Sequence, residues 1–169
     1  MSQPARVLGI DTALRCTGVG VVDAVGSRLS SVMFDTIRFP QDCRISECLL
    51  RLANRIQELV DEHQPTALAL EGVFFCRNAR TALILGQARG AVIAAGARTG
   101  RPMYEYEPRR VKQAVAGFGG ATKEQVQRMV MSLLGLRTAP PEDAADALAI
   151  AICHLNNCSR HAVLMPESL

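Results

Sequence analysis

Between Ala144 and Cys153 the chain reads Ala-Ala-Asp-Ala-Leu-Ala-Ile-Ala-Ile-Cys, with Asp146 as the one polar side chain. A helix apolar around its whole circumference has no face to offer water. It therefore belongs inside a layered domain, with other elements packed around it. Pro140 and Pro141 stop the preceding segment and let this helix begin. Asp143 and Asp146 stand three apart and project from one face at its mouth. First-turn acids favoured by the helix dipole would account for them as structure alone. A divalent cation between them would account for them as chemistry, and the rest of the chain would then have to supply further ligands.

The 169 residues suit a single domain, 1–169, in which the stretch from about 157 to 169 reads as a flexible C-terminal tail. The start, Met-Ser-Gln-Pro-Ala-Arg, has no signal-peptide core and no apolar run can cross a bilayer, so a soluble cytoplasmic protein is expected, with no membrane partner. Six cysteines (Cys16, Cys43, Cys48, Cys76, Cys153, Cys158) form no Cys-x-x-Cys pair and fit no usual zinc spacing, even with His154 and His161 nearby. They read as incidental reduced thiols. The formal net charge is only +3. From Arg77 to Arg128, however, ten basic residues face three acids, Glu105, Glu107 and Glu124. A middle third this basic points to a polyanionic partner, although solvated helix faces account for part of it.

Taken in order, Val7–Asp11, Gly18–Asp23 and Leu29–Arg38 read as an antiparallel meander with Asp11 at the tip of its first strand. Arg44–His63 is an amphipathic helix ended by Pro65. Thr66–Glu71 is a short apolar strand that again terminates in a carboxylate. A strand that follows a crossover helix lies parallel to the first, so Glu71 emerges at the same sheet end as Asp11. Asn78–Ala97 is a helix on which Ala82, Gly86, Gly90 and Ala94 recur every four residues. That face, almost without bulk, suits close packing on the sheet or against another subunit. Met103–Tyr106 is a fifth strand, and Pro108–Ala116 a helix carrying Arg109, Arg110 and Lys112. After a Gly-rich turn, Thr122 and Gln125 form a capping box, with Lys123 in the first turn, where a phosphate could be held.

This order brings Asp11, Glu71, Asp143 and Asp146 to one edge of a mixed five-stranded sheet, three strands antiparallel and then two parallel, flanked by helices on both faces. Four clustered carboxylates do not all stay ionised without cations. Hard oxygen ligands with open positions suit Mg2+ or Mn2+. Two such ions ~4 Å apart can activate a water and stabilise the leaving oxygen of a phosphodiester.

These features resemble the RuvC family of bacterial Holliday junction resolvases, with an RNase H-like fold. The resemblance rests on Gly9-Ile10-Asp11 with Thr17-Gly18-Val19-Gly20, Glu71-Gly72-Val73-Phe74, Leu85-Gly86-Gln87-Ala88-Arg89-Gly90 and the Asp143-Ala-Ala-Asp146 helix. It runs from about Val7 to His154. It implies a homodimeric endonuclease that nicks two opposing strands of a four-way DNA junction in recombination and repair, leaving 5′-phosphate and 3′-hydroxyl ends. The family's four acids match Asp11, Glu71, Asp143 and Asp146 as ligands of two ions. Its lysines match Lys112 and Lys123, the only lysines in this chain, with Lys123 in the catalytic set. Its junction-facing aromatic matches Phe74, for which a buried loop anchor is the plainer alternative. Arg77, Arg80, Arg109 and Arg110 complete the expected DNA-binding set. The dimer interface falls on Ala82, Gly86, Gly90 and Ala94, and a RuvA–RuvB branch-migration complex is the implied partner. The family usually reads Gly-Ile-Asp-Pro-Gly at the first acid; here Thr12-Ala13 follow Asp11, so the turn beyond it need not take the same path.

Two other readings compete. A Gly-x-Asp turn between two strands also binds nucleotide phosphates in sugar-kinase and actin-like phosphotransferases, but those need two such domains around a cleft. A non-catalytic junction-binding module, or an RNase H-like nuclease acting on RNA, is the other.

Overall fold

The computed structural model describes residues 5–72, 78–160 and 166–169. Its sheet runs in the order β3-β2-β1-β4-β5, with strands β1 (Ala5–Asp11), β2 (Cys16–Val25), β3 (Arg28–Arg38), β4 (Ala67–Glu71) and β5 (Met103–Tyr106). β1 pairs antiparallel with β2 and parallel with β4, and β4 pairs parallel with β5. The meander followed by a parallel return thus forms as the sequence pattern predicts.

Helices α1 (Ile45–His63) and α2 (Ala79–Arg98) pack on one face of the sheet. Their Leu52, Ile56, Leu59, Ala88 and Val92 meet Leu8, Ile10, Leu68 and Leu70. On the other face lie α3 (Pro108–Ala116), α4 (Lys123–Leu134) and α5 (Glu142–Arg160). There Val111, Val115, Val126, Val130 and Ile150 meet Val7, Val22 and Ala69. Alternate residues of β1 serve the two cores, as the period-two geometry of a strand requires.

Local signals place the helix ends. Pro108 occupies the first turn of α3, and Thr122 with Gln125 forms the reciprocal capping box of α4. Gln64 adopts the left-handed conformation that closes α1 before Pro65.

The helix α5 lies across β1, β2 and β3 at unusually short range. The strands beneath it are stripped of side chains: Gly9 pairs with Gly20, and Gly18 pairs with Asp11. A Cβ added at Gly9 would stand 2.0 Å from the Ala147 carbonyl oxygen, and one at Gly18 would stand 1.8 Å from that of Asp143. Leu148 fills the equivalent space over Gly20. The helix reciprocates with Ala144, Ala147 and Ala151, all fully buried.

One boundary differs from the sequence reading. α5 continues to Arg160, so positions 157–160 are helical rather than the start of a tail. Their anchoring is long-range: Asn156 donates to the Ala114 carbonyl at 3.2 Å, and Arg110 donates to Asn157 Oδ1 at 2.8 Å. Leu169 returns to the sheet, its N–H donating to the Met103 carbonyl at 2.9 Å. Under α5, Tyr106 Oη and His154 Nδ1 share a hydrogen bond of 2.8 Å, and burial pushes the imidazole down to about 4, which keeps it neutral. Among the described residues no helix is long and apolar enough to cross a membrane.

The close approach of α5 carries an expected outcome. Gly9→Ala should destabilise the fold by about 2 kcal/mol or more, because the added methyl meets backbone rather than a yielding side chain. Urea unfolding followed by circular dichroism measures it, and an unchanged midpoint would contradict the packing described.

Candidate active site

Asp11 and Glu71 leave adjacent parallel strands at the same end, since the β1–β4 register pairs Ile10 with Leu70 immediately before them. Asp143 and Asp146 occupy the first turns of α5, and the Asp143 backbone lies directly over Gly18, the strand partner of Asp11. Two strand ends and one helix mouth therefore bring together the four acids singled out from the sequence.

Their electrostatics record the convergence. Burial first, and then the fields of Asp146, Glu71 and Asp143, push the Asp11 carboxyl up to about 7, with Lys123 opposing. Glu71 is raised by burial and then by Asp146, against Lys123, Lys112 and Arg89. Asp146 is raised by burial, with Lys123 again opposing. Asp11 stands in the fields of all three of the others.

Asp11, Glu71, Asp146, Lys112 and Lys123 line a cavity of about 280 Å3, with Val111 and Val126 among its apolar walls. Lys123, well exposed, bridges Glu142 and Asp146, the latter at 3.6 Å. Asp143 lies beside this cavity, and its Oδ2 accepts from Cys16 Sγ at 2.7 Å. The turn after Asp11, where Thr12-Ala13 stand, is closed by Thr17, whose hydroxyl donates to the Ala13 carbonyl and accepts from its N–H.

The donors are carboxylate oxygens alone, a set suited to hard divalent cations rather than to zinc or copper. Among the described residues no three His, Cys, Asp or Glu side chains close to ion-holding distance. Asp11, Glu71 and Asp146 line the cavity, with Asp146 engaged by Lys123 and Asp143 by Cys16.

The remaining expected positions divide. Lys112 lines the cavity. Arg109 is exposed and covers Gly119, where a Cβ would meet its Cγ at 2.4 Å. Arg110 turns back over the Tyr106 ring, 5.6 Å from its centre, and on to Asn157, where it ties α3 to α5. Arg80 is exposed in the first turn of α2. Phe74 and Arg77 lie outside the described residues. Ala82, Gly86, Gly90 and Ala94 all face outward, and a Cβ added at Gly86 or Gly90 would meet nothing within 4 Å.

Three residues at the site carried no separate signal in the sequence. Cys16 is one of six scattered cysteines. Glu142, beside Asp143 in the first turn of α5, is picked out only by its contact with Lys123. Arg89 sat inside a quoted motif without a role.

A mixed sheet of this order, with carboxylates at the ends of β1 and β4 and at the mouth of a helix packed on them, defines an α/β domain of the RNase H-like class. The family model described as "Crossover junction endodeoxyribonuclease RuvC" matches residues 7–154. A relative of that name from Halorhodospira halophila is 51% identical over 154 residues, covering 91% of this chain and 92% of its own. The Thermus thermophilus RuvC structure superimposes with a TM-score of 0.87 at 36% identity, covering 97% of this chain and 99% of the other. The T. thermophilus RuvC in complex with Holliday junction substrate gives the same TM-score at 38% identity, covering 92% and 95%. The chain belongs to the RuvC family.

A sign follows for the metal-free protein. Because folding raises the Asp11 pKa from 3.8 to about 7, the fold favours the protonated acid, and stability is lost as pH rises through that range. Asp11→Asn should therefore be more stable than the wild type at about pH 8, by roughly 4 kcal/mol, with the difference vanishing near pH 4. Thermal unfolding of both proteins in chelator across that range measures it.

Proposed function

We propose that the chain is a crossover junction endonuclease which hydrolyses phosphodiesters in opposing strands of a four-way DNA junction, leaving 5′-phosphate and 3′-hydroxyl ends. The observation that carries this reading is Asp11 at the centre of three further carboxylates, beside a cavity that also holds two lysines. Such a cluster is costly to a fold and suits work on a substrate that is itself an anion. Family membership and the likeness to a relative bound to a Holliday junction support the choice of substrate.

Asp11, Glu71, Asp143 and Asp146 would hold two Mg2+ or Mn2+ ions. When bound, such ions supply Lewis acidity at the attacking and leaving oxygens of a phosphodiester. Asp11, which stands in the fields of the other three, would contribute to holding both. Lys112 and Lys123 reach the cavity from α3 and α4 and would hold the phosphate and offset its developing charge. Opening Lys123 from Glu142 frees an ammonium at the helix mouth. The apolar walls around Val111 and Val126 limit water beside the reacting phosphate.

A symmetric junction calls for two identical sites related by a two-fold axis. The outward face of α2 supports a homodimer: Ala82, Gly86, Gly90 and Ala94 leave it flat, and Leu83 beside them is 69% exposed. The whole of 1–169 would act as one domain, in the cytoplasm, with a branch-migration partner of the RuvA–RuvB kind; for these the family resemblance is the support.

Cleavage of a mobile four-way junction, beside a plain duplex and an RNA–DNA hybrid, tests the activity. The junction should be cut in Mg2+ or Mn2+ and spared in chelator. Asp11→Asn should lower the rate by about a thousandfold or more while junction affinity in a gel-shift assay persists. Preference for the hybrid, or normal turnover by that variant, would refute the proposal.

The dimer has its own test. Gly86→Glu combined with Gly90→Glu should give monomers in sedimentation velocity where the wild type sediments as a dimer, and should abolish paired nicking. Dimers of unchanged mass would remove α2 from the interface.

A further inference from the structure

We infer that Arg89 is a positioning residue for Glu71, holding the carboxyl end of β4 in place from α2; this rests on the proposed nuclease reading. The guanidinium of Arg89 reaches the sheet with its side chain only 13% exposed. One arm donates to the main-chain carbonyl of Glu71 itself. The other donates to Glu105 Oε1, on the neighbouring β5, at 2.6 Å. The two strands are already paired there, since Glu71 lies opposite Tyr106 and the Gly72 N–H donates to the Tyr106 carbonyl at 2.8 Å. The Arg89 fork therefore locks both parallel strands at the point where β4 stops and Glu71 turns toward the acid cluster.

The chemistry requires this particular side chain. A strand end that carries a functional carboxylate has a last carbonyl with no ladder partner beyond it, and a buried carbonyl left unsatisfied is costly. A planar guanidinium can satisfy that carbonyl and a carboxylate at once in fixed directions. A lysine ammonium at the same position is a point charge and cannot hold both in that geometry. The location of Arg89 adds weight. On α2, Ile84 is half-buried against the core and Ala88 is the first fully buried residue, with Arg89 directly after it. The grip on Glu71 is thus set where α2 closes onto the sheet.

The experiment compares the full-length wild type with Arg89→Lys and Glu105→Gln. Thermal unfolding, sedimentation and junction affinity in Ca2+ report fold, assembly and binding. Single-turnover cleavage and its dependence on Mn2+ concentration report the placement of Glu71. Arg89→Lys should fold, assemble and bind junction as the wild type does. Its cleavage rate at saturating junction should drop roughly 10- to 100-fold, and its half-maximal Mn2+ concentration should rise severalfold. Glu105→Gln, which keeps Arg89 and an acceptor oxygen, should move the same two readouts in the same direction by a smaller factor. It supplies the answer if Arg89→Lys does not fold. Wild-type rate and wild-type Mn2+ dependence in a folded variant would overturn the inference. So would a rate loss that follows junction affinity or melting temperature with no change in Mn2+ dependence. A wild type that cuts no junction under any of these conditions would instead overturn the nuclease reading, and this inference with it.

Discussion

The contact of α5 with a strip of bare backbone on β1 and β2 is the constraint on which the site depends. Side chains at Gly9, Gly18 or Gly20 would collide with the helix. Without that contact, Asp143 and Asp146 would ride a full side-chain layer above the sheet, where helices ordinarily sit some 10 Å from the strands they cover. With it, the backbone of Asp143 rests over the partner of Asp11. Small residues on the sheet and alanines on the helix serve one geometric end, which is to bring the carboxylates of two different layers to one point.

That point is unfavourable by itself. Burial and three neighbouring acids raise Asp11 to about 7, so the cluster works against the fold whenever all four groups are charged. Rigid surroundings make it tolerable. Asp11 ends the central strand of the sheet and Glu71 its interior parallel neighbour, and α5 is buried along most of its length. Lys123 and Cys16 each hold one helix-mouth acid. A core of this quality can carry a strained electrostatic site, in keeping with the general trade of stability against function.

Much of this was legible in the sequence, and the parts that were not share a cause. The strand-end acids could be read because a short, continuous apolar run that stops at a carboxylate marks both an element and its tip. The crossover helix before Thr66 fixed the direction of β4, and so put Glu71 beside Asp11. The buried character of α5 followed from its having no polar face. The end of α5 could not be read, because Asn156 and Asn157 look like tail residues until their partners in α3, more than forty positions away, are known. Cys16 on Asp143 is separated by 127 positions and Arg89 on Glu105 by 16. Such pairings are decided by three-dimensional register, which local pattern does not encode.

The layers also leave room on one small domain for the proposed second copy and a large substrate together. α1 and α2 cover one face of the sheet, and α3, α4 and α5 cover the other. The acids occupy neither face; they stand at the carboxyl edge of the strands, where open α/β sheets place their ligands. A second copy seated on the flat outward side of α2 would leave that edge open. Arg89 then matters for more than local order. It sits one residue from Gly90 on the helix proposed to meet a second copy, and its guanidinium ends on the main chain of Glu71. Assembly and catalytic geometry would thus be joined through a single buried side chain rather than through a flexible segment. That would suit the proposed dimer, whose two sites would have to be in register on a two-fold symmetric junction.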